Sequence, residues 1–110
     1  MLPDELLRIR SLRRGDTVLL RLTGELDMAT APLVDSAAVS VPLSDARCLH
    51  LDLANVTFCD EAGLRALRRI SDLAQASHVA LCLVGIHPNV RRTVAWLGSA
   101  SPWLPPMALS

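Results

Sequence analysis

Asn55-Val56-Thr57-Phe58-Cys59-Asp60-Glu61-Ala62-Gly63-Leu64-Arg65-Ala66-Leu67 is the stretch that decides the fold. An apolar, strand-like run ends at Leu53, a short polar turn follows, and an amphipathic helix begins at the acidic pair. Asp60 reads as the N-cap, its carboxylate accepting from the backbone N–H of Ala62 or Gly63. Glu61 then falls in the first turn, where the helix dipole favours negative charge by about 0.3–1 kcal/mol. Leu64, Leu67, Ile70, Leu73 and Ala74 recur at helical spacing as the apolar stripe. Arg65, Arg68, Arg69, Asp72 and Gln75 take the outer face.

Upstream of this stretch, Leu7 and Ile9 alternate with Arg8 and Arg10. After Arg13-Arg14-Gly15-Asp16 the alternation resumes with Val18, Leu20 and Leu22, which predicts an antiparallel hairpin. The arginines at 8, 10, 13 and 14 read as a solvated strand face and turn; no aromatic residues interleave for base stacking. Gly24-Glu25-Leu26-Asp27 closes the second strand. Thr30 is the expected N-cap of the first helix, because it leaves Pro32 in the first turn, where a missing N–H costs little. Ala31, Val34, Ala38 and Val41 line the inner face of that helix, and Pro42 ends it. Leu49, Leu51 and Leu53 mark a third strand.

Downstream, Val79 to Val84 is a short continuous apolar run, expected to be an inner strand covered on both sides. Pro88 suits the first position of a third helix, with Val90, Val94 and Leu97 facing inward and Gly98 capping the end. The tail from Ser99 to Ser110 contains Pro102, Pro105 and Pro106 and could add an edge strand around Trp103-Leu104. Trp96 and Trp103 are open to core, tail-docking or partner roles. The expected architecture is a single α/β domain over 1–110 with its core at about 6–97. It has a mixed sheet of four to five strands, built as a hairpin followed by βαβαβα.

Strand-helix-strand crossovers are right-handed and make their strands parallel, so the second, third and fourth strands point the same way. Their C-terminal ends then share one rim: Gly24 to Asp27, Val56 to Glu61, and Gly85 to Pro88. That rim is the usual binding locus of an open α/β sheet. It gathers Glu25, Asp27, Asp60 and Glu61, with Phe58 and Leu64 as apolar neighbours.

Eleven basic residues balance eleven acidic ones in 110 residues, so no overall field recruits nucleic acid or a membrane. Every basic residue is Arg. Cys48, Cys59 and Cys82 are odd in number, widely spaced and without a C-x-x-C pair, which argues against a disulfide framework or zinc site and for a reducing cytosol. His50 lacks a partner at ligand spacing, and His87 reads as a cap or turn residue. No catalytic set, phosphate loop or metal-ligand pair is visible, so no catalytic residue, cofactor or metal is expected. Met1 to Glu5 carries acids where a signal peptide needs bases, and no apolar run is long enough to span a bilayer. A cytoplasmic protein is the expectation.

The segments Gly24-Glu25-Leu26-Asp27, Thr30-Ala31-Pro32, Leu51-Asp52-Leu53 and Val56 to Leu67 together resemble the STAS domain of bacterial anti-sigma factor antagonists. The resemblance runs from about Leu6 to Leu97. It implies a bacterial transcription-regulating module that docks an anti-sigma factor, itself a serine kinase of ATPase type. The docking surface it implies comprises Asp27, Thr30, Asp60, Glu61, Ala62, Gly63, Leu64, Arg65 and Arg68. The family motif reads Asp-Ser-Ser/Thr-Gly-Leu, with the phosphoacceptor immediately before Gly; here the matching residues are Asp60-Glu61-Ala62-Gly63-Leu64. Ala62 has no oxygen to phosphorylate, and Glu61 replaces the preceding serine. The implied module therefore lacks the switch: either it binds permanently, as the small uncharged methyl at 62 favours, or Glu61 imitates the charge of the released state. A substitute acceptor at Thr57 is less favoured than a structural hydroxyl bonding local backbone. The alternative is a STAS adaptor subunit of a larger assembly, such as an ABC-type lipid transporter or a stress-signalling complex. A nucleotide- or cation-binding role for the acidic rim ranks below both.

Overall fold

The computed structural model describes residues 6–97. The order of elements is β1 (Leu7–Arg14), β2 (Thr17–Leu26), α1 (Ala31–Ser40), β3 (Cys48–Cys59), α2 (Glu61–Ala76), β4 (Ala80–Ile86) and α3 (Pro88–Leu97). The four strands form one sheet in the order β1-β2-β3-β4. β1 and β2 make the antiparallel hairpin, closed at Gly15, while β2, β3 and β4 run parallel. The mixed sheet and the shared rim are thus as the sequence implies.

Alternation builds the core. Val18, Leu20 and Leu22 of β2 and Leu49, Leu51 and Leu53 of β3 are all buried in one cluster with Val34 and Ala38 of α1 and Leu64, Leu67 and Ile70 of α2. Each fully buried leucine contributes about 1.5–3 kcal/mol of hydrophobic stabilisation. The two helices are also joined at the surface, where Arg69 Nε and Nη2 donate to the two carboxylate oxygens of Asp35 at 2.7 and 3.0 Å. α1 begins as expected, with Thr30 at the N-cap and Pro32 in the first turn. α3 begins at Pro88, and the backbone N–H of Asn89 donates to His87 Nδ1 at 3.1 Å, which makes His87 a capping residue.

Three expectations need correction. The stretch after Leu53 is not a turn: β3 continues to Cys59. The register shows why the strand signal fades there. Arg21 pairs with Asp52 but Thr23 with Asn55, and Gly24 pairs with Val56 but Glu25 with Phe58, so β3 carries an extra residue at two places. Each bulge shifts the face alternation by one, and Leu53, Val56 and Cys59, spaced by three, all point into the core. Second, β4 is not an inner strand. It is the last strand of the sheet among the described residues, and of its seven residues only Leu83 is buried. A continuous apolar run reports cover over the two faces and says nothing about a neighbour along the sheet. Third, Val41 is the C-cap of α1 rather than a residue of the helix, although it is half-buried and still packs against the core. Gly98, the expected tail strand at Trp103-Leu104 and the side chains of Val94, Trp96 and Leu97 lie outside the described residues.

Gly24 is held at φ +123°, and a Cβ there would run into the backbone carbonyl of Leu6. Gly24→Ala is expected to lower stability by about 2 kcal/mol or more, read from the urea midpoint. An unshifted midpoint would show that the entry into β1 can move aside.

Candidate functional site: the C-terminal rim of the sheet

The rim is stitched together by backbone hydrogen bonds between the strand ends. The N–H of Asp60 donates to the carbonyl of Leu26 at 3.2 Å, and the N–H of His87 donates to that of Leu53 at 3.3 Å. Asn89 Nδ2 donates to the carbonyl of Thr57 at 3.1 Å. The ends of β2, β3 and β4 and the starts of α2 and α3 therefore form one connected surface.

Its first part is the turn after β2. Asp27 Oδ1 accepts from the backbone N–H of Ala29 at 2.9 Å and of Thr30 at 3.0 Å. Thr30 Oγ1 accepts from the N–H of Asp27 at 2.9 Å and donates to the carbonyl of Glu25 at 2.8 Å. Thr30 is fully buried, so it pins the turn from within and offers a partner no surface. With Asp27 and Thr30 occupied in this way, Met28 is pushed outward and is 77% exposed.

The second part is the start of α2. Asp60 Oδ1 accepts from the N–H of Gly63 at 2.9 Å, the cap expected from the sequence. Glu61 and Arg65, both exposed, pair across one turn at 2.7 Å. Arg65 is therefore engaged by its own helix, and the charge of Glu61 is partly matched. Ala62 is half-buried at the rim, Arg68 is exposed one turn further along, and Gly63 and Leu64 are buried. Leu64 belongs to the core, so a polar substitution there would test folding rather than docking. A Cβ at Gly63 would lie 2.6 Å from the carbonyl oxygen of Leu26 and 2.9 Å from Cys59 Sγ.

Of the nine residues the sequence nominates, Asp27, Asp60, Glu61, Ala62, Arg65 and Arg68 reach the surface at least in part, and Thr30, Gly63 and Leu64 do not. Sequence reasoning passed over Met28 as a surface residue and left Phe58, 49% exposed, outside the nominated set. A signal for Met28 was present: an apolar side chain in a tight turn between a strand and a helix has no core to enter. The sequence makes Phe58 an apolar neighbour of the rim, but the face it takes is set by the bulges of β3. Thr57 Oγ1 donates to the carbonyl of Gly24 at 3.4 Å, across to β2 rather than to local backbone. Among the described residues no three His, Cys, Asp or Glu side chains are grouped to hold a metal ion. No helix among them is long and apolar enough to cross a membrane.

A family model for the STAS domain matches residues 8–101. The chain belongs to the STAS domain family. Three solved structures place this STAS domain among folds of known context. An anti-sigma factor antagonist from Mycobacterium paratuberculosis aligns at a TM-score of 0.74 and 22% identity, over 94% of this chain and 84% of that one. The anti-sigma factor antagonist SpoIIAA in its unphosphorylated form aligns at 0.66 and 18%, over 87% and 84%. The murine anion transporter Slc26a9 aligns at 0.68 and 22%, over 79% of this chain but 14% of the transporter. At these identities the likeness is one of fold. No curated protein matches this chain significantly.

Burial, with a smaller contribution from the Asp60 carboxylate, pushes the Cys59 thiol up from 9.0 to about 12. The unfolded chain releases this proton near 9.0 and the folded chain keeps it to about 12, so the folded state binds more protons within that window. Stability is therefore expected to fall as pH rises from about 9 to about 12, by about 1.4 kcal/mol per pH unit from this group. The chain has no Tyr and no Lys, and the other thiols, Cys48 and Cys82, are common to it and to Cys59→Ala. Urea midpoints across the window should fall less steeply for Cys59→Ala, and an unchanged slope would mean that the thiol titrates freely in the folded chain.

Proposed function

We propose that this STAS domain is a protein-binding module of the anti-sigma factor antagonist kind, which captures an anti-sigma factor of serine-kinase type through the rim and has no phosphorylation switch. The observation that carries the reading is the half-buried methyl of Ala62 at the position where the family motif has its acceptor hydroxyl. The surface around it supports docking: Met28 and Phe58 are exposed apolar side chains, and Arg68 is an exposed guanidinium, a group favoured at interfaces. Glu61 does not stand in for a phosphate at 62. Adjacent helical residues point about 100° apart, and the Glu61 carboxylate is already engaged by Arg65. A binding module is favoured over an enzyme, since Cys59, the thiol beside the rim, is buried and protonated at neutral pH. In this reading the protein acts in the bacterial cytoplasm, on transcription, without a cofactor.

A second reading rests on the same missing hydroxyl together with the fold likeness to Slc26a9, in which the matched region is a small part of a membrane transporter. The domain would then be an adaptor subunit of a larger assembly, such as an ABC-type lipid transporter or a stress-signalling complex. Stable co-purification with a membrane ATPase, and none with an anti-sigma kinase, would favour it.

The complex with a cognate anti-sigma kinase is expected to persist on size-exclusion chromatography when Mg-ATP is added. Glu61→Ser/Ala62→Ser should make the complex sensitive to ATP. Dissolution of the unaltered complex by ATP would overturn the reading. Phe58→Asp, at an exposed position, should weaken binding by about 1–3 kcal/mol in calorimetry with the fold intact, and undiminished affinity would move the docking surface away from the rim.

A further inference from the structure

β1 is the first strand of the sheet and, among the described residues, has no neighbour on its outer side. A groove of about 380 Å³ lies there, lined by Leu7, Arg8, Ile9 and Arg10 with Leu33 and Ala37 of α1. Side chains of a strand alternate between its two faces, so a groove on one face meets every second residue. This one is lined by four consecutive residues. It therefore views the strand side-on, where an edge presents backbone N–H and C=O groups free to pair.

The two sides of that edge differ chemically. Leu7 is buried and Ile9 half-buried toward the core side, where Leu33 and Ala37 continue an apolar wall. Arg8, Arg10 and Arg14 alternate onto the other side and are exposed. The register sets Arg10 directly opposite Arg21, an unfavourable pairing of like charges. Arg21 is relieved by Asp52 at 3.0 Å, but among the described residues no carboxylate pairs with Arg8, Arg10 or Arg14. Guanidinium forks of this kind match carboxylates bidentately.

We propose that the outer edge of β1 receives an extended acidic segment of a partner protein, added as a further strand. Its alternate carboxylates lie beside Arg8 and Arg10, and its intervening apolar side chains enter the groove over Leu33 and Ala37. Strand addition draws affinity from main-chain hydrogen bonds and specificity from alternate side-chain pockets, and this edge supplies both. A second copy of the chain is a poor occupant, because edge-to-edge pairing sets arginine against arginine. This surface is distinct from the rim and does not depend on what the rim binds.

The test is a fluorescence anisotropy titration of the full chain with a labelled peptide alternating Glu and Val. Controls are a Lys-Val peptide and two Glu-Val peptides N-methylated at every second residue, one in each phase. The Glu-Val peptide should bind and the Lys-Val peptide should not. One of the two methylation phases should weaken binding by about tenfold or more, through lost main-chain donors. Arg8→Glu/Arg10→Glu should weaken it at least as much, with an unchanged urea midpoint as expected for exposed positions. Absence of binding at millimolar peptide overturns the proposal, as does binding that survives both methylation phases or survives the arginine substitutions.

Discussion

Where helix α2 meets the end of β2 there is no room for a methyl group. A Cβ at position 63 would fall 2.6 Å from the Leu26 carbonyl oxygen, 2.8 Å from Leu26 Cγ and 2.9 Å from Cys59 Sγ. The same carbonyl accepts the N–H of Asp60, whose carboxylate in turn caps the helix at Gly63. Strand end, cap and first helical turn are thus one interlocked unit. Pushing the helix outward would stretch the bond from Asp60 to Leu26 and move position 62 away from the turn held by Asp27 and Thr30. The rim has a defined shape because the backbone of Gly63 approaches the Leu26 carbonyl directly, flanked by the buried side chains of Leu26 and Cys59, which leave little room to absorb a change.

The elements legible in the sequence are those governed by local physics. Period-two alternation in Val18, Leu20 and Leu22, the acidic cap at Asp60 and the proline at 88 each act within a few residues, and the structure keeps all three. Parallel pairing of β2, β3 and β4 also followed, since a helix between two strands returns the chain to the starting end of the sheet. The failures share a cause. The two bulges of β3 are a property of its pairing with β2, and no signal within Asn55 to Phe58 says that an extra residue will be accommodated rather than turned. The position of β4, last in the sheet among the described residues, is likewise set by the order of strands, which apolar content does not encode.

The candidate site shows the same division at the level of single side chains. Asp27 and Thr30 were nominated because a motif holds them, and both prove to be structural anchors, with their polar atoms directed at backbone. Anchors of this kind determine what else is displayed. With Asp27 turned to cap Ala29 and Thr30, the side chain between them has nowhere to go but outward, and Met28 becomes the most exposed apolar group near the rim. The apolar character of the rim is thus a consequence of its polar bonding.

Strand β2 connects the rim to the β1 edge. Leu7 pairs with Gly24, the residue from which β2 runs on to the rim, whereas Arg14 pairs with Thr17 at the far end of the sheet. The groove lined by Leu7 to Arg10 therefore opens at the rim end of the edge, and Leu33 and Ala37 in its wall belong to the helix that starts at the Asp27 turn. A partner seated on the rim would have this edge within reach of a short extension. Joining two modest contacts through one chain raises the effective concentration of the second, so a combined affinity can exceed either alone without any new contact. An overall charge of zero is compatible with this arrangement, because what an approaching chain meets is local: the acids Asp60 and Glu61 at one surface, and at the other the arginines at 8 and 10, which no carboxylate pairs among the described residues. On the proposed reading of Ala62 as a switchless position, selectivity would rest on which partner satisfies both surfaces at once.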